Sequence, residues 1–500
     1  MSRQIEEESL DPKDWEAMKQ LGHRMIDDMF LYLKTIRDRP VWQPIPENVR
    51  SKFKQVLPVK SQDPEQIYQE FLRYVLPHPL GNIHPRFWGW VMGTGTPFGM
   101  LAEMLAAGMN PNVFGAEQAP VRIETQVLDW CKEMFGFPSQ ASGILVSGGS
   151  MANLVALAVA RNAKAGFDLQ NEGARQSHLR LTLYGSVEMH SSIRKAAELL
   201  GLGSDAVRKV SVDDNYQVDS AALKAMILQD RAKGYQPFCI VGNAGTVNTG
   251  AIDNLHTLAD IARYENLWFH VDGSFGAFAV LSPRLRECVS GMERADSLSV
   301  CFHKWMHVQH EASCVLIQDS EAHHRSFSMA GEYLSHATGG LAAGTTWFSE
   351  YGVQLTRGFR ALKIWMSMKE HGIRKYGRLV EQNVEQACHL VDLIKDSDTL
   401  QLLAPAPLNI VCFRFFDKRL DEAQLNKLNQ ELLIQLQERG IAVPSSTTLN
   451  GTFALRVAVT NHRSKYEDFD LLVHKSVEFG KLLLEQKHLI SPFKGEEKYN

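Results

Sequence analysis

The chain has 500 residues, 44% hydrophobic and 22% charged, with 53 Lys and Arg against 57 Asp and Glu for a formal charge of −4. Such a composition can bury a large core, and without a basic tract interleaved with aromatics it argues against nucleic-acid and anionic-membrane partners. The first thirty residues are too acidic for a signal or transit peptide and no run of about 18 apolar residues occurs, so no membrane span and a cytoplasmic location are expected.

From Trp15 to Ile36 the apolar residues Met18, Leu21, Met25, Met29 and Leu33 recur three and four apart, and Ile26 and Phe30 widen the stripe. This spacing predicts a long helix with a broad apolar face. Pro40, Pro44 and Pro46 follow it, a second helical pattern runs through "DPEQIYQEFLRYVL", and Pro77 and Pro79 close that one. Residues 1–83 read as a helical arm too small to bury both its faces, which suits dimerisation. The segments "HPRFWGWVM" and "NPNVFGAEQAPV" come next as candidate pocket walls, with Phe87, Trp88 and Trp90 favouring an aromatic substrate.

The middle of the chain alternates apolar runs with helical stretches. "GILV", "LTLYG", "FCIVG", "LWFHV", "SLSVCF" and "SCVLI" predict strands of a mostly parallel sheet, and residues 84–380 read as one large α/β domain. The remaining 381–500 read as a small α+β domain, with strands "LNIVCFRFF" and "FALRVAV" about the helical "EAQLNKLNQELLIQLQERG". Seven cysteines without a C-x-x-C pair lie mostly in apolar segments and read as reduced core thiols.

In open α/β sheets ligands bind outside the carboxyl ends of the strands, so those ends are where chemistry belongs. "ILVSGGSMANL" leads from a strand through Gly149 and Ser150 into a helix, a turn whose free amides suit a phosphate, or simply a tight strand-to-helix turn. Asp272 ends the apolar "LWFHV", where a carboxylate needs donors or a cation, or caps a helix. Lys304 follows "SLSVCFH"; a buried amine there loses charge and becomes a nucleophile, whereas a snorkelling lysine would not. Together the three fit pyridoxal phosphate (PLP): one group for its phosphate, one for its ring nitrogen, one for its aldehyde.

The order and spacing of "SGGSMANL", "EMHSSIRKAAELLG", "AGTVNTGAID", "HVDGSFGAF" and "FHKW" closely resemble the group II PLP-dependent amino acid decarboxylases, and the likeness runs over nearly the whole chain. The resemblance implies a fold-type I transferase architecture, similar to aspartate aminotransferase, and a homodimer with shared active sites. It implies that Lys304 carries the cofactor, Asp272 keeps its ring nitrogen protonated and His190 stacks on the ring. Thr246 would lie beside the ring, Gly149 and Ser150 at the phosphate, and His303 between phosphate and substrate. Tyr333, 29 residues beyond the lysine, would return a proton to the substrate from a loop. Two positions depart from the family: Cys301-Phe302-His303-Lys304 stands where Asn-Pro-His-Lys is frequent, and Gly273-Ser274 where Ala-Ala is frequent.

His303, His307 and His310 have helical spacing, but with no H-E-x-x-H motif or cysteine cluster they read as packing or site residues, and no metal is expected. The activity implied is decarboxylation of an L-amino acid, aromatic in preference, to its amine and carbon dioxide. The alternatives are an acidic substrate such as glutamate, aspartate or cysteine sulfinate, an aldehyde-forming variant, an aminotransferase, or a catalytically silent binding homologue.

Overall fold

The computed structural model describes residues 8–173, 180–328, 337–344 and 346–490. Its strands, in chain order, are β1 (Phe87–Trp88), β2 (Ser142–Val146), β3 (Arg180–Ser186), β4 (Val207–Val210), β5 (Tyr235–Asn243), β6 (Trp268–Asp272), β7 (Ser297–Cys301), β8 (Ser313–Ile317), β9 (Leu400–Leu402), β10 (Ile410–Phe415), β11 (Val443–Leu449) and β12 (Thr452–Ala458). Seven of them form one sheet in the order β2-β8-β7-β6-β5-β3-β4, and five form a second in the order β1-β11-β12-β10-β9.

In the larger sheet β8 pairs antiparallel with both β2 and β7, and every other pairing is parallel. Reversing direction twice across β8 leaves β2 running the same way as β7, β6 and β5. Their carboxyl ends therefore open on one edge, where the turns after β2, β5, β6 and β7 converge. Register reinforces this: Asn243 pairs with Asp272, and Asp272 with Ser299, across three adjacent strands.

The helix Gly149–Lys164 touches β2, β5, β6, β7 and β8. It buries Ala152, Val155, Ala156, Leu157, Ala158, Val159 and Ala160. Small side chains let its axis approach the sheet closely, which brings its first turn down onto the strand ends. Beneath that turn, β2 is clamped by a fully buried ion pair, Arg357 with Glu124: Arg357 Nη2 donates to the Leu145 carbonyl at 2.8 Å and the Leu145 amide donates to Glu124 Oε1 at 3.1 Å.

The smaller sheet is antiparallel except for β1, which pairs parallel to β11 through Phe87 with Val443 and Trp88 with Pro444. Phe87 and Trp88 therefore belong to this sheet and not, as the sequence suggests, to the segment 84–380 that builds the larger one. The arm folds as the helix Trp15–Lys34 and as Pro64–Glu70, the latter continuing as one π-helical stretch Phe71–Val75. Among the described residues no helix is long and apolar enough to cross a membrane. Cys131, Cys239, Cys301, Cys314 and Cys412 are buried, whereas Cys288 and Cys388 are exposed.

Candidate active site

Asp272 closes β6 and is buried. Its Oδ1 accepts the Ser274 hydroxyl at 2.6 Å, the Ser274 amide at 3.1 Å and the Ser299 hydroxyl at 3.3 Å, and its Oδ2 accepts Asn153 Nδ2 at 2.9 Å. Burial pushes this carboxyl up, but the Ser274 hydrogen bond, the Lys304 charge, the Asn153 hydrogen bond and His190 outweigh it and hold it below the usual value. The carboxylate is kept ionised away from bulk water.

Asn153 joins this aspartate to two histidines. It donates to Ser192 Oγ at 2.9 Å, and the Ser192 hydroxyl lies 2.7 Å from His190 Nδ1. The Ser192 amide also donates to His190 Nδ1 at 3.2 Å, so that nitrogen is an acceptor and the proton sits on Nε2. On its other side Asn153 Oδ1 lies 3.0 Å from His270 Nε2, which must donate. His270 Nδ1 then accepts the Ser297 hydroxyl at 2.9 Å, and Ser297 accepts Trp268 Nε1 at 2.8 Å. Burial lowers His270 to about 4, so the ring is neutral and the chain of donors runs in one direction.

Lys304 lies three residues past β7 in the short helix Phe302–Trp305 and is partly exposed. Among the described residues it has no salt-bridge partner, yet its charge acts on Asp272, His190 and His303. His303 Nδ1 donates to the Ala312 carbonyl at 3.0 Å, leaving Nε2 as an acceptor. Burial first, then Lys304 and His310, lower His303 to about 3, so it stays neutral. The glycine-rich segment before the helix Pro97–Met109 presses on this turn. The Gly93 amide donates to the His303 carbonyl at 3.0 Å, and a Cβ on Gly93 would meet the His303 and Lys304 carbonyl oxygens at 2.3 Å.

The turn expected to hold phosphate follows β2. Gly148 is extended and has open space where a Cβ would stand, and the helix starts at Gly149, leaving the Gly149 and Ser150 amides as unsatisfied first-turn donors. A Cβ on Gly149 would meet Ser274 Oγ at 2.8 Å and Cys301 Sγ at 3.1 Å, so both positions that depart from the family border this turn. Cys301 Sγ accepts the Ser313 hydroxyl at 3.0 Å. His190 caps the helix Ser191–Leu199 with its ring exposed toward the same edge.

These groups fit PLP by their chemistry: an amide cradle for a dianion, an ionised buried carboxylate for a pyridinium, a lysine without an ion-pair partner for an aldehyde, and an open imidazole face. A cavity of about 930 Å³ lined by residues such as Trp130, Met134 and Arg286 includes none of them.

Thr246 is buried, with its hydroxyl 3.1 Å from Thr249 Oγ1 and accepting the Ala251 amide at 3.1 Å, so it holds the loop after β5. Trp88 is corrected from pocket wall to core: it is 1% exposed, stacks on Phe469 at 4.8 Å between centroids and donates Nε1 to Ser464 Oγ. Phe87 is likewise buried, against Val41 and Val443. Both follow from β1 joining the smaller sheet. Trp90 is exposed, with a φ of 53°. His307 is buried beside His462, with ring centroids 4.8 Å apart. Tyr333 lies outside the described residues.

The sequence reading missed Asn153, Ser274, His270 and Arg456. Asn153 lies inside a motif singled out for its glycines, and Ser274 stood out only as a departure. Arg456, in β12, donates to the carbonyls of Trp90 at 2.9 Å, Asn248 at 3.1 Å and Val247. It ties the smaller sheet to the loop that carries Thr246.

A model of the pyridoxal-dependent decarboxylase conserved domain matches residues 46–416. The chain is 34% identical over 457 residues to an aromatic-L-amino-acid decarboxylase of Bacillus atrophaeus, covering 91% of this chain and 93% of that protein. It is 29% identical to tryptophan decarboxylase 2 of Oryza sativa subsp. japonica, over 91% of this chain and 92% of the relative. Among solved structures, Oryza sativa TDC with PLP and tryptamine superposes with a TM-score of 0.86 at 25% identity, over 96% of this chain and 100% of that one.

Proposed function

Because this chain belongs to the pyridoxal-dependent decarboxylase family, we propose that it converts an aromatic L-amino acid into the corresponding amine and carbon dioxide. The observation that carries the reading is the convergence, on one sheet edge, of ionised Asp272, Lys304, His190 and the Gly149–Ser150 turn. When bound, PLP supplies an electron sink for the pair left on the substrate as its carboxylate departs. Lys304 would hold its aldehyde, Asp272 its ring nitrogen, His190 its ring face and the Gly149–Ser150 amides its phosphate.

The remaining chemistry belongs to the chain. Asp272 supplies a fixed negative charge that would face the ring nitrogen, and its four donors disfavour protonation of the carboxylate. His303, neutral and with Nε2 unprotonated, can accept a hydrogen bond from a donor group of the substrate without adding positive charge. Tyr333 is the proposed acid that returns a proton to the substrate's α-carbon. With Phe87 and Trp88 in the core, the aromatic preference rests on the relatives and on exposed Trp90. The test is a panel of L-amino acids with carbon dioxide and amine both measured. Equal molar release from an aromatic substrate is expected; release only from acidic substrates would overturn the substrate, and neither product would overturn the activity.

The same reading includes a homodimer and a cytoplasmic location. Trp15, Leu31, Phe53, Val56 and Leu57 of the arm are exposed, Val56 at 90%, an apolar surface that a second copy of this chain would cover. The described cysteines are all free thiols, which suits a reducing compartment. Sedimentation of the full chain should give a dimer, and an active monomer would sink that part.

A further inference from the structure

We propose that Ser274 is a positioning residue for Asp272: its hydroxyl, 2.6 Å from Oδ1, fixes the carboxylate in its ionised form so that a proton shared with the cofactor's ring nitrogen stays on the ring. The inference rests on the reading of Asp272 as the ring-nitrogen partner and goes beyond it by assigning what controls that partner.

Three observations carry it. The Ser274 hydroxyl makes the shortest of the four contacts to the carboxylate, and its own backbone amide reaches the same oxygen at 3.1 Å, so one residue supplies half the donors. The geometry is locked from below. A Cβ on Gly273 would meet that of Ala277 at 2.6 Å, and the Cys301 amide donates to the Ser274 carbonyl at 3.1 Å, so the segment cannot swing away. Finally, the hydroxyl lies against the Gly149 turn, where a Cβ would approach it to 2.8 Å, which places it between the phosphate turn and the aspartate.

The physical consequence has one sign. A donor to a carboxylate stabilises the anion over the neutral acid. Removing it makes Asp272 a stronger base, and a shared proton moves from ring nitrogen toward oxygen. Asn153, Ser299 and the Ser274 amide remain, and Lys304 still adds positive charge nearby, so the shift is partial.

The experiment loads the full chain with PLP labelled with ¹⁵N in the ring and records the ring-nitrogen resonance for wild type, Ser274→Ala, Ser274→Thr, Asp272→Asn and the Ala/Asn double variant. Wild type and Ser274→Thr should lie at the protonated position, and Ser274→Ala should move measurably toward the unprotonated one. Asp272→Asn should lie at the unprotonated position, with no further change when Ser274→Ala is added. Turnover of Ser274→Ala should fall about tenfold with KM within about twofold, the low end for a charge-assisted hydrogen bond because other donors persist. Should Ser274→Ala fail to fold, Ser274→Cys, a weaker donor, should move the resonance the same way by less. A Ser274→Ala resonance identical to wild type overturns the proposal, as does an equal shift with and without Asp272. An Asp272→Asn protein that keeps the protonated resonance overturns the reading of Asp272 itself, and this proposal with it.

Discussion

A carboxylate taken out of water at the end of β6 loses hydration worth several kcal/mol, and in Asp272 four donors replace it. Asn153 is fully used in the exchange: its two N–H groups go to Asp272 and Ser192 and its oxygen accepts from His270. Asp272→Asn keeps the size but removes the charge, and it presents an amide to a shell built of donors. Turnover should fall at least about 100-fold, roughly 2.7 kcal/mol of transition-state stabilisation, with a much smaller change in KM. A variant defective only in KM would contradict the role. Tyr333→Phe should leave carbon dioxide release largely intact while lowering the amine formed per carbon dioxide, measured as the ratio of the two products; an unchanged ratio would assign the proton to another group. Lys304, Asp272 and the glycine turn were legible in the sequence because each is an unusual residue type at the end of an apolar run. Asn153 and His270 were not, because their meaning lies in contacts between residues 117 and 119 positions apart, and Ser274, two positions from Asp272, shows its role only once the turn folds its hydroxyl back onto the carboxylate.

At the level of elements, the lysine turn is shaped as much by its neighbour as by its own sequence. β7 delivers Cys301, the helix Phe302–Trp305 follows at once, and Gly93 lies flush against the two carbonyls that precede and include Lys304. Gly93→Ala would place a methyl group 2.3 Å from both oxygens, and the turn must move. Cofactor affinity should weaken about tenfold or more, read from bound-cofactor absorbance across a titration; wild-type affinity would show that the turn tolerates the push. The strands β2, β3, β5, β6, β7, β8, β10 and β12 follow from their apolar runs. The strands that escaped notice, β1, β4, β9 and β11, have two to four residues or, in β11, the polar "PSSTT", where hydrophobic periodicity carries no signal. The reversal at β8 is a property of the chain's path and leaves no mark on residue type.

For the molecule as a whole, buried neutral histidines make stability depend on pH. His84, His270 and His323 are buried, and burial lowers each to about 4 from 6.5. Between those values the unfolded chain binds protons that the folded one refuses, so stability is present above about pH 6.5 and is lost as pH falls toward 4. Three such groups give a slope of about 4 kcal/mol per pH unit near the middle of that window. Denaturant unfolding at a series of pH values should show it, and a flat profile would mean that these rings are protonated in the fold. β1 has a different kind of consequence. It brings residues 87–88 beside 443–444, and the chain runs on from β1 to Gly93, whose amide is bonded to the lysine turn. During synthesis the large sheet can be complete while the strand that fixes this stretch still lacks its partner, which is made more than 100 residues after β8. The capacity to take up cofactor should therefore arise late and all at once: a chain ending before residue 443 should fail to retain PLP even with every candidate site residue present.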